Sequence, residues 1–136
     1  MWATRLDGGH MELEQRLRRT YDAFNRRDID AVLAELAPDV DWPNAWEGGR
    51  VRGHAAVRAY WTRQWEAIDP AVEPVSFTRR PDGRIAVEVR QTVRGRDGAL
   101  LHESTVVHVY AFHGGLVSRM DVEDPPAAAG GAAEGR

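Results

Sequence analysis

The side chains whose types and spacing could carry chemistry in this chain are His108, Asp121 and Arg119. They lie between Leu100 and Glu123, a stretch dominated by β-branched and aromatic residues and interrupted by Gly114-Gly115. That pattern predicts two antiparallel strands joined by a two-residue turn. Counting outward from the turn sets Phe112 opposite Val117, Tyr110 opposite Arg119 and His108 opposite Asp121. Opposed residues hold their Cβ atoms about 4.5–5.5 Å apart, near enough for an imidazole and a carboxylate to hydrogen-bond. The carboxylate favours the charged imidazolium and burial opposes it, so the pair would titrate near neutrality and suit proton transfer. Arg119, on the same expected face, would stabilise a developing anion or simply hold Asp121 ionised. The same geometry equally describes a structural His–Asp pair beneath a pocket.

A second acid/base candidate is Asp41, which precedes Trp42 at the end of an expected short strand; its alternative is a surface carboxylate. Aromatic residues are the other resource. Tyr21, Trp42, Trp46, Tyr60, Trp61 and Trp65 are candidate walls of a substrate pocket, or ordinary core at helical spacing. A second turn signal, Asp97-Gly98, sets Val93 opposite His102, Gln91 opposite Ser104, Val89 opposite Val106 and Val87 opposite His108. Val89, Gln91, Ser104, Val106 and Tyr110 therefore join the expected pocket face. Gln91 and Ser104 are its polar members and need partners, which water or a ligand would supply. A metal site is not expected: His102 and His108 are six residues apart on one strand, roughly 20 Å, and no three-ligand spacing occurs.

These groups must be positioned by helices first and strands after. Leu13, Leu17, Tyr21 and Phe24 form one apolar stripe of a helix that begins near Glu12. Asp28 is a good N-cap for a second, short helix with the stripe Ile29, Val32, Leu33 and Leu36, stopped by Pro38. Val40 to Pro43 is short and extended, Asn44 to Gly53 reads as a loop, and a third helix runs from about His54 to Ile68. Strands follow over Val72 to Arg79, Arg84 to Gly95 and the opening hairpin. This order predicts an α+β fold with three helices on one face of a curved, mostly antiparallel sheet, and a pocket at the wide end of the cone they enclose. Residues 12–123 form the domain; 1–11 read as a disordered arm and 124–136 as a disordered tail rich in Pro, Ala and Gly.

The whole chain of 136 residues suits one domain with a sizeable core. A net charge of −3 gives no electrostatic case for nucleic acid or an anionic membrane, and without cysteine there is no disulfide or thiolate chemistry. No apolar run spans a bilayer and the start lacks a signal peptide's apolar core, so a cytoplasmic protein is expected.

Several stretches resemble the SnoaL-like branch of the nuclear transport factor 2-like (NTF2-like) superfamily. They are Tyr21–Asp28 at the first helix junction, Leu36–Trp42 entering the first strand, Gly53–Trp61 opening the third helix, and His108–Val117 across the last hairpin. The resemblance covers roughly residues 12–123. It implies a cone-shaped, cystatin-like α+β barrel, often a homodimer packed through the outer sheet face. Members include polyketide cyclases, ketosteroid isomerases, dehydratases and epoxide hydrolases. In the cyclases an Asp near the end of the last strand works with a His on its neighbour, which by position implies Asp121 with His108, with Asp124 as a rival acid. The epoxide-hydrolase type uses an Asp-Arg-Asp network that Asp41, Arg119 and Asp121 would imitate. The expectation is a cofactor-free acid/base enzyme, of cyclase, isomerase, dehydratase or epoxide-hydrolase type, acting on an apolar cyclic small molecule. The alternative is a non-catalytic binding module for such a ligand.

Overall fold

The computed structural model describes residues 2–125, with side chains from residue 11 onward. Three helices and six strands follow in the order α1 (Trp2–Asn25), α2 (Ile29–Leu33), β1 (Leu36–Pro43), β2 (Arg50–Arg52), α3 (His54–Ala67), β3 (Ile68–Arg79), β4 (Ile85–Gly95), β5 (Leu100–His113) and β6 (Leu116–Glu123). Helical backbone therefore covers residues 2–10, where the sequence suggests an arm, and passes through Gly8-Gly9. Each glycine costs about 1 kcal/mol relative to alanine there, while every further residue of an existing helix adds a hydrogen bond. The tail expected over 124–136 lies, from residue 126 on, outside the described residues.

The chain leaves α1 through Arg27, whose φ of +65° reverses the backbone. Asp28 then caps α2, its side chain accepting from Ala31 N at 3.1 Å. Leu36 is not the last member of the α2 stripe. It opens β1, where it is buried and lies beside Val117 of β6. The loop expected over Asn44–Gly53 contains β2, an added edge strand paired with the end of β1.

The strands form one mixed sheet in the order β2-β1-β6-β5-β4-β3, antiparallel except where β1 runs parallel to β6. The sheet is curved but unclosed, so the cone has an open side instead of a barrel's continuous wall. Leu17, Tyr21, Val57 and Trp61 from the helices meet Val40, Val87, Val89, Tyr110 and Val117 from the sheet in the main core. A small second cluster, Ala86, Val107 and Val109, is buried on the sheet's other face. Among the described residues no helix is long and apolar enough to cross a membrane.

Two registers decide which side chains face the cone. Between β4 and β5, Val93 pairs with His102, Gln91 with Ser104, Val89 with Val106 and Val87 with His108, as the sequence indicates. The connection itself differs: Gly95 N donates to Ala99 O, so the loop is Arg96-Asp97-Gly98, and a bulge at Leu101 restores the counted register. Between β5 and β6 the turn is the expected two-residue one, with φ of +60° at Gly114 and +84° at Gly115, the left-handed pair a type I′ turn requires. The register beyond it is not as counted. Phe112 pairs with Val117, but Ala111 pairs with Arg119, so Ser118 has no opposite residue. This uncompensated bulge shifts every later pair by one and, because side chains alternate, turns the rest of β6 over.

Candidate functional site

The β6 bulge separates the residues that counting brings together. His108 lies opposite Val122, Tyr110 opposite Met120, Val109 opposite Asp121 and Ala111 opposite Arg119. The expected His108–Asp121 pair is thereby corrected: Met120 faces inward with His108, and Asp121 and Arg119 face the outer side of the sheet. Asp41 is corrected likewise, since Trp42 beside it is the residue that points into the cone. Asp124 lies exposed beyond the end of β6 and is no part of the cavity wall.

On that outer side Asp41, Arg119 and Asp121 do meet, joined by Arg50 of β2. Arg119 Nη1 donates to Asp41 Oδ2 at 2.8 Å and its Nε to Asp121 Oδ2 at 2.8 Å. Arg50 Nε donates to Asp41 Oδ1 at 2.5 Å and its Nη1 to Asp121 Oδ1 at 3.2 Å. Arg50 Nη2 also reaches the backbone oxygen of Met120 at 2.6 Å. The hydrogen bond from Arg50 lowers the Asp41 pKa, and that from Arg119 lowers the Asp121 pKa. Both carboxylates are thus held ionised and are poor proton acceptors. None of the four residues borders the cavity. The quartet clasps three neighbouring strands on the side of the sheet away from the cavity.

The cavity lies between the helices and the inner face of the sheet, with a volume of about 460 Å³. Tyr21, Trp42, Trp46, Tyr60 and Trp61 border it, as do Gln91, Val106 and Tyr110. Trp65, Val89 and Ser104, also expected there, do not. Trp65 sits behind the wall, in contact with Phe24 and stacked on Trp61 with Arg27 over its ring. Val89 is wholly buried in the core, and the Ser104 hydroxyl is shielded. Among the described residues, Trp65 Nε1 and Ser104 Oγ are the buried side-chain atoms without a hydrogen-bond partner. The walls otherwise interlock through edge-to-face contacts, Trp42 on Trp61 at 5.4 Å and Phe24 on Trp61 at 5.5 Å.

His108 is the cavity's buried titratable nitrogen base, and two tyrosines hold it. Tyr110 Oη donates to Tyr21 Oη at 2.7 Å. The Tyr21 oxygen, having accepted that proton, gives its own to His108 Nδ1, 2.9 Å away. Nδ1 is therefore an acceptor, and the neutral ring carries its proton on Nε2. No described protein group bonds Nε2, and it is not among the shielded atoms, so this N–H is presented to the cavity. Burial brings the His108 pKa down to about 4, so the ring is neutral at pH 7. Burial also raises both tyrosine pKa values, and the hydroxyls keep their protons. Among the described residues no Asp or Glu borders the cavity. Among the described residues no three His, Asp or Glu side chains converge as a metal site requires. The arrangement can donate a hydrogen bond from Nε2 to a ligand oxygen, while the tyrosine hydroxyls fix the ring's tautomer from behind.

Sequence reasoning missed this chain of hydrogen bonds, although its signal was present. Tyr21 lies on the buried stripe of α1, and Tyr110 stands two residues from His108 on the same face. It also missed His102, Met120 and Val122 as border residues; the last two follow only once the bulge is known.

A mouth loop completes the site. Asn44 Oδ1 accepts from Glu47 N at 2.7 Å, and Arg63 of α3 grips Glu47 through Nε at 3.0 Å and Nη2 at 2.8 Å. Trp46 N donates to Tyr60 Oη at 3.3 Å, which sets the partly exposed Trp46 indole at the rim.

The SnoaL-like domain model matches residues 17–120. An NTF2-like protein of unknown function from Burkholderia pseudomallei is 30% identical, with a TM-score of 0.72 over 87% of this chain and 94% of that one. TerC, crystallised with polyporic acid, is 23% identical, with a TM-score of 0.73 over 90% of this chain and 98% of that one. A protein from Xanthomonas campestris pv. campestris, provisionally described as a polyketide cyclase, is 21% identical, with a TM-score of 0.73 over 86% and 93% of the two chains. No curated protein matches the chain. The match over more than a hundred contiguous residues, together with three helices on a six-stranded curved sheet, makes this chain a member of the SnoaL-like family with the NTF2-like cone fold.

Proposed function

We propose that the cavity binds an apolar cyclic small molecule bearing a carbonyl oxygen, and that His108 acts on that oxygen. The observation that carries the reading is the neutral imidazole whose Nε2–H faces an otherwise aromatic and aliphatic cavity while Tyr21 and Tyr110 support its other nitrogen. A neutral imidazole with so low a pKa is a weak base but a good hydrogen-bond donor. Donation to a ketone oxygen stabilises the enolate that forms as an α-proton passes to a water or buffer base entering by the open side of the cone, the step shared by isomerisation, cyclisation and dehydration at carbon. The buried surroundings of His108 and its aromatic neighbours lower the local dielectric and strengthen that bond. The family, and the cyclase description given to one protein of similar fold, agree with such chemistry as analogy.

Deuterium uptake at the α-carbon of tetralone and larger fused-ring ketones tests the proposal. The protein should accelerate exchange, and His108→Gln should lower that acceleration by about 100-fold, the lower end of what a positioned proton-handling group supplies. Equal exchange with the variant would remove His108 from the chemistry. A second reading, binding without turnover, is favoured by a cavity border on which the described residues place no carboxylate. It would be supported by ketone binding with no acceleration of exchange.

A further inference from the structure

The inner face of the β4–β5 pair carries a second group of polar side chains, away from His108. Gln91 borders the cavity and is half-buried, yet its amide has no hydrogen-bond partner among the described residues. His102 also borders the cavity, is exposed, and has none. The registers Gln91–Ser104 and Val93–His102 make these two diagonal neighbours on one face, within reach of a common ligand atom. Between them the Ser104 hydroxyl is shielded and unpartnered. Gln91 and His102 thus interrupt an otherwise largely apolar stretch of wall with hydrogen-bonding groups that no described protein group engages and that a ligand can reach. Val106 separates this group from His108 along β5. Gln91, level with Ser104, stands four residues from His108, roughly 13 Å along the strand.

We propose that Gln91 and His102 form a second polar station of the cavity, which takes an oxygen function at the far end of an elongated ligand whose near oxygen lies at His108. The proposal rests on the reading of the cavity given above and adds the ligand's shape: an elongated body with hydrogen-bonding oxygens at both ends. A Gln amide offers both donors and an acceptor, so a hydroxyl or a carbonyl satisfies it, and the lack of a bordering Arg or Lys among the described residues favours a neutral group over a carboxylate.

Calorimetric titration with a matched pair of probes tests it. One is an anthracene with a hydroxyl at one end; the other carries hydroxyls at both ends. The wild-type protein should bind the doubly substituted probe about tenfold more tightly, the contribution of one neutral hydrogen bond. Gln91→Leu, similar in size and suited to an apolar wall, should abolish that preference, so that the two probes bind this variant alike. His102→Ala, at an exposed position that tolerates truncation, should reduce the preference about threefold and provides the test should the first variant not fold. Equal wild-type affinity for the two probes, or a preference that persists in both variants, would overturn the second station and leave the cavity reading intact. Binding of neither probe would overturn both.

Discussion

At the scale of single residues, the account turns on a histidine made neutral by its surroundings. A group whose pKa falls from 6.5 to about 4 on folding binds fewer protons in the native chain than in the unfolded one between those values. Stability from this source is complete above pH 6.5, declines as the pH falls toward 4, and changes no further below that. The loss amounts to about 3 kcal/mol. Asp41 and Asp121 behave in the same direction but in a different window, because their pKa values are lowered from 3.8 and their contribution fades only in stronger acid. Urea unfolding at pH 7, 5.5 and 4.5 should therefore show a steady loss of stability in the wild type and a much flatter dependence in His108→Gln. A parallel loss in both would assign the effect to other groups. At this scale the sequence was informative about which residue matters and misleading about its partner. His108 stands out by type, whereas its tyrosine partner Tyr21 lies 87 residues away and enters only through packing.

At the scale of the strand, one residue decides the chemistry. Both hairpins contain departures from simple counting. In the first, a three-residue loop and the bulge at Leu101 cancel, so the register read from Asp97-Gly98 is right beyond them. In the second, the turn is as expected but Ser118 adds an unmatched residue, so Asp121 and Arg119 point away from His108. Turn chemistry is legible because glycines with positive φ have few alternatives. A bulge away from a turn has no comparable marker, and the alternation of Val117, Arg119 and Asp121 reads equally well either way. What holds the bulged register is long-range: Met120 is buried inside, and Arg50 binds Asp41, Asp121 and the Met120 carbonyl outside. Deleting Ser118 should force β6 to present Asp121 to the core and Met120 to solvent. The expected loss is at least 3 kcal/mol, from a buried Met exposed and a carboxylate desolvated. It would be seen as a collapse of the cooperative thermal transition. A deletion variant with wild-type stability would show that the bulge does not set the register.

At the scale of the whole molecule, the open cone separates two kinds of charge. All four members of the Asp–Arg quartet lie on the outer face, and among the described residues no carboxylate borders the cavity on the inner face. The order of helices and strands, the helix stripes and the aromatic supply of the cavity were legible in the sequence, because periodicity and turn residues act locally. The added strand β2, the parallel pairing of β1 with β6 and the exclusion of Trp65 from the wall were not, because each depends on what the rest of the chain packs against it. The role given to His108 is checked at the ring itself by a nitrogen NMR spectrum recorded at pH 7 with and without a fused-ring ketone. The ring should be neutral and protonated on Nε2, with the Nε2 resonance moving when the ketone binds and losing that response in Tyr21→Phe. A charged ring at pH 7, or an Nε2 resonance indifferent to every bound ketone, would rule that role out.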